Sequence, residues 1–111
     1  MPGVLAAHVN FREAVFRDAN LQGAVFIEAR LDKADFGEAD LTRASFNGAS
    51  LLGANLVQAN LAEANLMGAN LHGANLEGAI LVKAKLAGAR YSGTTRWPEG
   101  FKPADHGLEI L

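Results

Sequence analysis

Alanine stands at every fifth position from Ala14 to Ala89, a run of 16 without a miss. Two places after each alanine comes a large apolar residue, beginning Phe16, Leu21, Phe26, Leu31 and ending Leu81, Leu86, Tyr91; Val9 with Phe11 extends the series to 17 steps. A fixed internal period constrains the fold before any local preference does. An α-helix turns about 100° per residue, so a spacing of five displaces each large residue by roughly 140° from the last and leaves no apolar face. A flat strand fails as well, because an odd period sends successive large residues to opposite faces. The pattern is satisfied by a chain that bends sharply every five residues, always in the same sense, so that the large residue and the alanine before it both point inward. Such a backbone coils around its own side chains.

A chain of 111 residues gives one small domain whose conventional core would be thin, a limit that stacking of repeats avoids. The 12 glycines fall far short of the periodic third of a collagen, and half of the residues are apolar, which excludes a fibre or a disordered tail. The net charge of −2 and pI near 5.9 leave no basic footprint for a phosphate backbone, so nucleic acid is not an expected partner. Without cysteine there is no disulfide frame, thiolate metal site or cysteine nucleophile. Met1 to His8 lack a basic leader followed by a long apolar run, and no later stretch approaches the ~20 apolar residues of a membrane span, so a cytoplasmic, membrane-free location is expected.

The recurring unit is intact as Ala64-Asn65-Leu66-Met67-Gly68, Ala69-Asn70-Leu71-His72-Gly73 and Ala74-Asn75-Leu76-Glu77-Gly78. It resembles the pentapeptide-repeat family over residues 9–93. The resemblance implies an all-β fold, a right-handed quadrilateral β-helix in which four steps make a coil of 20 residues, here about four coils. Residues 1–8 would be a lead-in and residues 94–111 a capping tail.

In the family's turn the residue before the alanine is the third turn position, where a type II turn needs positive φ and glycine is favoured. Glycine fills it at 23, 48, 53, 68, 73, 78, 88 and 93, which predicts type II turns mainly in the C-terminal half. Glu13, Asp18, Glu28, Lys33, Glu38 and Arg43 predict a different, less regular turn earlier. A coil of 20 residues also puts Phe16 and Phe36 on one wall and Phe26 and Phe46 on the opposite one, as two interior stacks. Outward asparagines one coil apart, such as Asn55 and Asn75, are expected to form side-chain ladders.

The tail from Tyr91 to Pro103 resembles a Trp-Pro-x-Gly-Phe-x-Pro closing segment of cyanobacterial members, and Trp97 with Phe101 would plug the end of the core. At the other end Val4 and Leu5 either cover the core or leave it to meet a second subunit as a homodimer. Asp18, Asp35, Glu38 and Asp40 gather on neighbouring walls as a candidate interaction patch. A convex wall has no pocket to hold substrate or exclude water, so no catalytic residue is assigned. His8, His72 and His106 form no spaced ligand motif, and no metal or cofactor is expected. The leading expectation is a non-catalytic module that docks on a protein partner. Some members of the family mimic duplex DNA and bind a type II topoisomerase. Those are long, strongly acidic dimers, whereas this chain is short, nearly neutral, and carries Pro98 and Pro103 where their dimerising helix would stand.

Overall fold

The computed structural model describes residues 7–111, so Val4 and Leu5 lie outside the described residues. Each five-residue step closes a turn by donating an alanine N–H to the carbonyl of the preceding large residue: Ala14 to Phe11 at 3.0 Å, and so on to Ala89 and Leu86 at 3.0 Å. The residue after each alanine makes a parallel bridge to its counterpart 20 positions on, as in Val15 with Asp35 and Asp35 with Asn55. Four sides therefore make one circuit, and the circuits stack in register. The large inward residues sort into four columns: Phe11, Leu31, Leu51, Leu71 and Tyr91 on the first wall; Phe16, Phe36, Leu56 and Leu76 on the second; Leu21, Leu41, Leu61 and Leu81 on the third; Phe26, Phe46, Leu66 and Leu86 on the fourth. Each wall is straight for so few residues that among the described residues the regular strands number two, β1 (Arg90–Tyr91) and β2 (Glu109–Ile110), paired in parallel.

Backbone satisfaction explains the repeat unit position by position. In the step around Phe36, Phe36 N–H donates to Asn55 O at 2.7 Å, Glu38 N–H to Val57 O at 2.9 Å, Ala39 N–H to Phe36 O at 3.0 Å and Asp35 N–H to Ala14 O at 2.9 Å. The remaining N–H, that of Gly37, donates to the Asp35 carboxylate at 2.9 Å. Asparagine does the same elsewhere: Asn55 caps Val57, Asn60 caps Ala62, Asn65 caps Met67, Asn70 caps His72 and Asn75 caps Glu77 at 2.9–3.1 Å. The expected ladders between coils are thus corrected. These side chains bond their own backbone two residues on, the local Asx geometry that short polar side chains favour. One cross-coil bond of the ladder kind joins the Asn55 amide to Asp35 at 3.0 Å.

The interior is continuous from Leu21 to Ala79, with Phe26, Phe36 and Phe46 fully buried beside leucines and corner alanines. Phe16 stacks on Phe36 at 5.0 Å and 12°, and Phe26 on Phe46 at 5.3 Å and 13°, as the 20-residue circuit requires. Phe26 meets Phe36 edge-on across the interior at 5.8 Å, so both stacks join into one aromatic block.

Two expectations about turns are overturned. Glu13, Asp18, Glu28, Lys33, Glu38 and Arg43 all hold φ of 54–62°, in the same left-handed region as the turn glycines, so the N-terminal turns are no less regular. With negative φ at the second turn position and positive φ at the third, both halves use the type II arrangement. Gly93, in contrast, is outside that region. There the chain spends one extra residue: Thr95 N–H closes the turn on Ser92 O at 3.0 Å, and Arg96 bridges Asn75, a spacing of 21. Thr95 takes the buried place of an alanine, its hydroxyl donating to Leu71 O at 2.7 Å and accepting from Ser92 N–H at 3.1 Å.

Candidate interaction surfaces

Of the four acidic residues expected to form a patch, three are engaged by the chain's own side chains, and Asp18, one coil from Glu38 on the second wall, is not. On the second wall Arg17 lies across Gly37 and reaches Asp35 at 3.3 Å and Glu38 at 3.7 Å. Asp40, on the third wall, accepts the Thr42 hydroxyl at 2.6 Å, the Thr42 N–H at 3.1 Å and the Gln22 amide. Donation by the Thr42 hydroxyl is the main cause that holds the Asp40 carboxyl below the usual carboxylate range; burial opposes it, while the Gln22 amide, the Thr42 N–H and the Arg43 charge add to it. Asp18 is exposed and makes no ion pair among the described residues. The wall thus brings Asp35 and Glu38 together through Arg17 and leaves Asp40 in a separate cluster. Three of the four carboxylates serve turn caps or ion pairs of the chain itself, and partly exposed pairs such as these contribute little to stability.

At the C-terminal end Leu76 N–H donates to Arg96 O at 2.7 Å, which places Trp97 directly after Leu76 in the second column. Trp97 is half-buried against the core, meets Tyr91 edge-on at 5.8 Å and stacks on Phe101 at 4.9 Å; Phe101 in turn stacks on His106 at 4.5 Å. A 3-10 helix, Pro103–His106, ends at Gly107 with φ 76°, after which β2 closes on β1. A shallow cavity of about 580 Å³ lies beside Trp97, lined by Val57, Gln58, Glu77 and Glu99. Arg96 occupies the Glu77 carboxylate at 3.2 Å. His8 contacts Glu28 at 3.1 Å, His72 is exposed, and no cluster of three or more metal-ligating side chains occurs among the described residues. No helix among them is long and apolar enough to cross a membrane.

Sequence reasoning missed one apolar surface. Ile80 and Val82 stand where asparagine and small or polar residues stand in most earlier coils, and they are 46% and 62% exposed. The signal was present in the sequence, since Ile80 ends an unbroken series of asparagines from Asn55 to Asn75.

The model of the pentapeptide-repeat family matches residues 10–48 and 44–81, in eight copies. A pentapeptide repeat protein from Nostoc Pcc 7120 is similar to the chain at 39% identity, over 92% of this chain and 84% of that one, with a TM-score of 0.90. A second, from the Arabidopsis thaliana thylakoid lumen, shares 34% identity over 84% of this chain and 62% of that one, with a TM-score of 0.61. No curated protein matches the chain, and no catalytic family is indicated.

Proposed function

Because the chain belongs to the pentapeptide-repeat family, we propose that it is a non-catalytic, cytoplasmic protein-interaction module, a right-handed quadrilateral β-helix of about four coils whose walls and ends dock on a protein partner. Residues 9–93 form the repeat body, residues 1–8 lead in, and residues 94–111 cap it through Trp97 and Phe101. The observation that carries this reading is how the chain's own backbone and guanidinium groups engage its outer carboxylates. Asp35 and Asp40 cap turns, and Arg17 holds Asp35 with Glu38. An Asp40 held below the usual carboxylate range is ionised at neutral pH and has no proton to give as a general acid. What such walls offer is a flat, rigid surface with side chains at fixed intervals, suited to recognition rather than chemistry.

The DNA-mimic alternative needs negative potential along the length of the rod, because phosphate sites are read by lysine and arginine. Glu63 and Glu77 are the only formal charges between Arg43 and Lys83, and each has a cation beside it, Arg43 at 3.8 Å and Arg96 at 3.2 Å. Lys83, Lys85, Arg90 and Arg96 then follow with no acid among them. The C-terminal half carries the wrong field for mimicry.

Affinity capture on the immobilised protein from a lysate of the organism that makes it tests the interaction reading; repeated failure to retain any protein at stoichiometric level counts against it. In the same preparation, micromolar protein should neither inhibit gyrase supercoiling nor relieve quinolone inhibition. Inhibition that vanished in the Asp35→Asn, Glu38→Gln variant would put the DNA-mimic reading first.

A further inference from the structure

The circuit that closes the C-terminal end bonds to the first, second and fourth walls and leaves the third unpaired among the described residues. On the third wall of the coil below, Leu61 N–H donates to Ile80 O at 2.8 Å, Glu63 N–H donates to Val82 O at 2.8 Å, and Ile80 N–H donates to Ala59 O at 2.9 Å. One coil higher the equivalent groups are Leu81 N–H, Lys83 N–H and Ala79 C=O, and none has a partner among the described residues. The cause is the path of the tail. After Trp97 extends the second wall, the chain cuts the corner through a turn in which Phe101 N–H donates to Pro98 O at 3.0 Å, enters the 3-10 helix, and resumes pairing at Gly107, whose carbonyl accepts Gly88 N–H at 3.0 Å on the fourth wall, and at Glu109 on the first.

We propose that this edge, Ala79 to Lys83, is a slot for an extended segment of a partner protein, which adds to the third wall as the missing fifth strand; the inference rests on the interaction reading above. The ladder itself specifies the occupant. Its residue before the anchor donates N–H to Ala79 O and offers C=O to Leu81 N–H, and its residue after the anchor offers C=O to Lys83 N–H. The anchor side chain continues the column above Leu81, over a cavity of about 420 Å³ lined by Leu81, Val82, Phe101 and His106, and is therefore a large apolar residue. Two residues earlier, above the corner at Ala79, only a small side chain fits. Lys83 and Lys85 are exposed and have no ion-pair partner among the described residues, so acidic residues following the anchor complete the match. Strand addition of this kind takes affinity from backbone hydrogen bonds and specificity from alternate side chains.

A second copy of this chain does not fit the slot. The closing circuit stands on the first, second and fourth walls and blocks another rod from stacking there, and edge-to-edge pairing would bring the lysines of both copies onto one edge. Lysine on an exposed edge disfavours self-pairing.

The test uses the full chain and a fluorescein-labelled extended peptide bearing one leucine, an alanine two residues before it and two glutamates after it, in a serine context. Binding should protect the Leu81 and Lys83 amides from hydrogen exchange. N-methylation of the peptide residue before leucine, or leucine to alanine in the peptide, should each weaken binding at least tenfold, and Lys83→Ser with Lys85→Ser severalfold. Absence of binding, protection at other amides, or indifference to N-methylation overturns the slot. A captured protein that the Val82→Asp variant retains undiminished also overturns it while leaving the interaction reading intact; a lysate from which nothing is captured at all counts against that reading instead. Val82 is exposed, so an unchanged melting temperature of Val82→Asp verifies that the variant is folded.

Discussion

Up to Ser50 the rod has phenylalanine on its second and fourth walls and charged side chains at six of its third turn positions; from Leu51 to Ala89 it has a leucine core with glycine at five of eight. Both halves nevertheless trace the same backbone. The charged residues hold φ of 54–62° and the glycines of the turn rows 65–74°, all in the same left-handed region. A left-handed residue with a side chain costs roughly 1–2 kcal/mol, and within the stacked coils that strain is offset by the ladder hydrogen bonds that flank the turns. Successive coils also complement each other, within each half and where the halves meet. A Cβ on Gly48 would approach Glu28 Cγ at 3.2 Å, one on Gly53 would approach Lys33 Cγ at 3.4 Å, and one on Gly78 would approach the Gln58 amide at 2.9 Å. Long side chains of one coil lie across glycines of the next, so glycine in the later coils supplies room as well as conformational freedom. The corner row of the third wall departs from this pattern: Gly23 comes first, and Arg43 pairs with Glu63 at 3.8 Å.

What the halves share is the closed corner at each inward alanine, and breaking it should give the largest effect. Ala34 and Ala59 are fully buried, one in each half. Either Ala34→Phe or Ala59→Phe should cost about 3 kcal/mol through overpacking, against less than about 0.5 kcal/mol for Ala62→Phe on the outer surface. Urea midpoints measure both. Equal midpoints for Ala59→Phe and Ala62→Phe would show that the inward register is wrong.

The turns come next and sharpen the contrast between room and conformational freedom. Gly23 has nothing within 4 Å of a built Cβ, so Gly23→Ala should cost only the backbone strain, about 1 kcal/mol. Gly78→Ala adds the collision with Gln58 and should cost about 2 kcal/mol. The reverse change at a charged position, Lys33→Gly, should stabilise by about 0.5 kcal/mol, since relief of strain exceeds the entropy that glycine adds to the unfolded chain. A Gly78→Ala variant no less stable than Gly23→Ala would mean that Gln58 swings away freely and that room plays no part.

The circuit and the core columns were legible because one alanine in five leaves the chain no other way to bury its large residues. The turn chemistry of the N-terminal half was not. Propensity favours glycine where φ is positive, but a turn held on both sides by ladder bonds imposes that φ on Glu13 or Lys33 just as well, and tertiary context overrides local preference. The role of Asn55 to Asn75 was misread because stacking distance was weighed while the unpaired N–H two residues on was not counted. At Thr95 the extra residue was hidden by Gly93, which continues the glycine spacing although the chain no longer uses it. The four acidic residues could be placed on walls, yet only the geometry of Arg17 and Thr42 shows which groups of the chain hold Asp35, Glu38 and Asp40.

The smallest effect separates the two chemistries that cap the turns of the third wall, Asp40 in one coil and Asn60 in the next. Each accepts the N–H two residues on, from Thr42 at 3.1 Å and Ala62 at 3.0 Å. The Asp40 pKa is lowered in the folded chain, chiefly by the Thr42 hydroxyl, so its stabilising contribution is fully present above the unfolded value of about 3.9 and is lost as pH falls through the folded value. Asp40→Asn keeps an acceptor for Thr42 N–H and removes the titration. Its urea midpoint should therefore stay close to that of the parent at pH 7 and fall less than the parent's as the pH drops below about 4. The reciprocal change has the opposite sign. Asn60→Asp puts a second carboxylate one strand spacing, about 4.8 Å, from Asp40, with which Asn60 makes a parallel bridge, and gives it no hydroxyl partner at Ala62. That variant should be destabilised at pH 7 and recover relative to the parent as the pair protonates. Unfolding midpoints across pH 3 to 7 decide the matter, and an Asp40→Asn profile parallel to that of the parent would show that the carboxylate caps its turn as a neutral acceptor would.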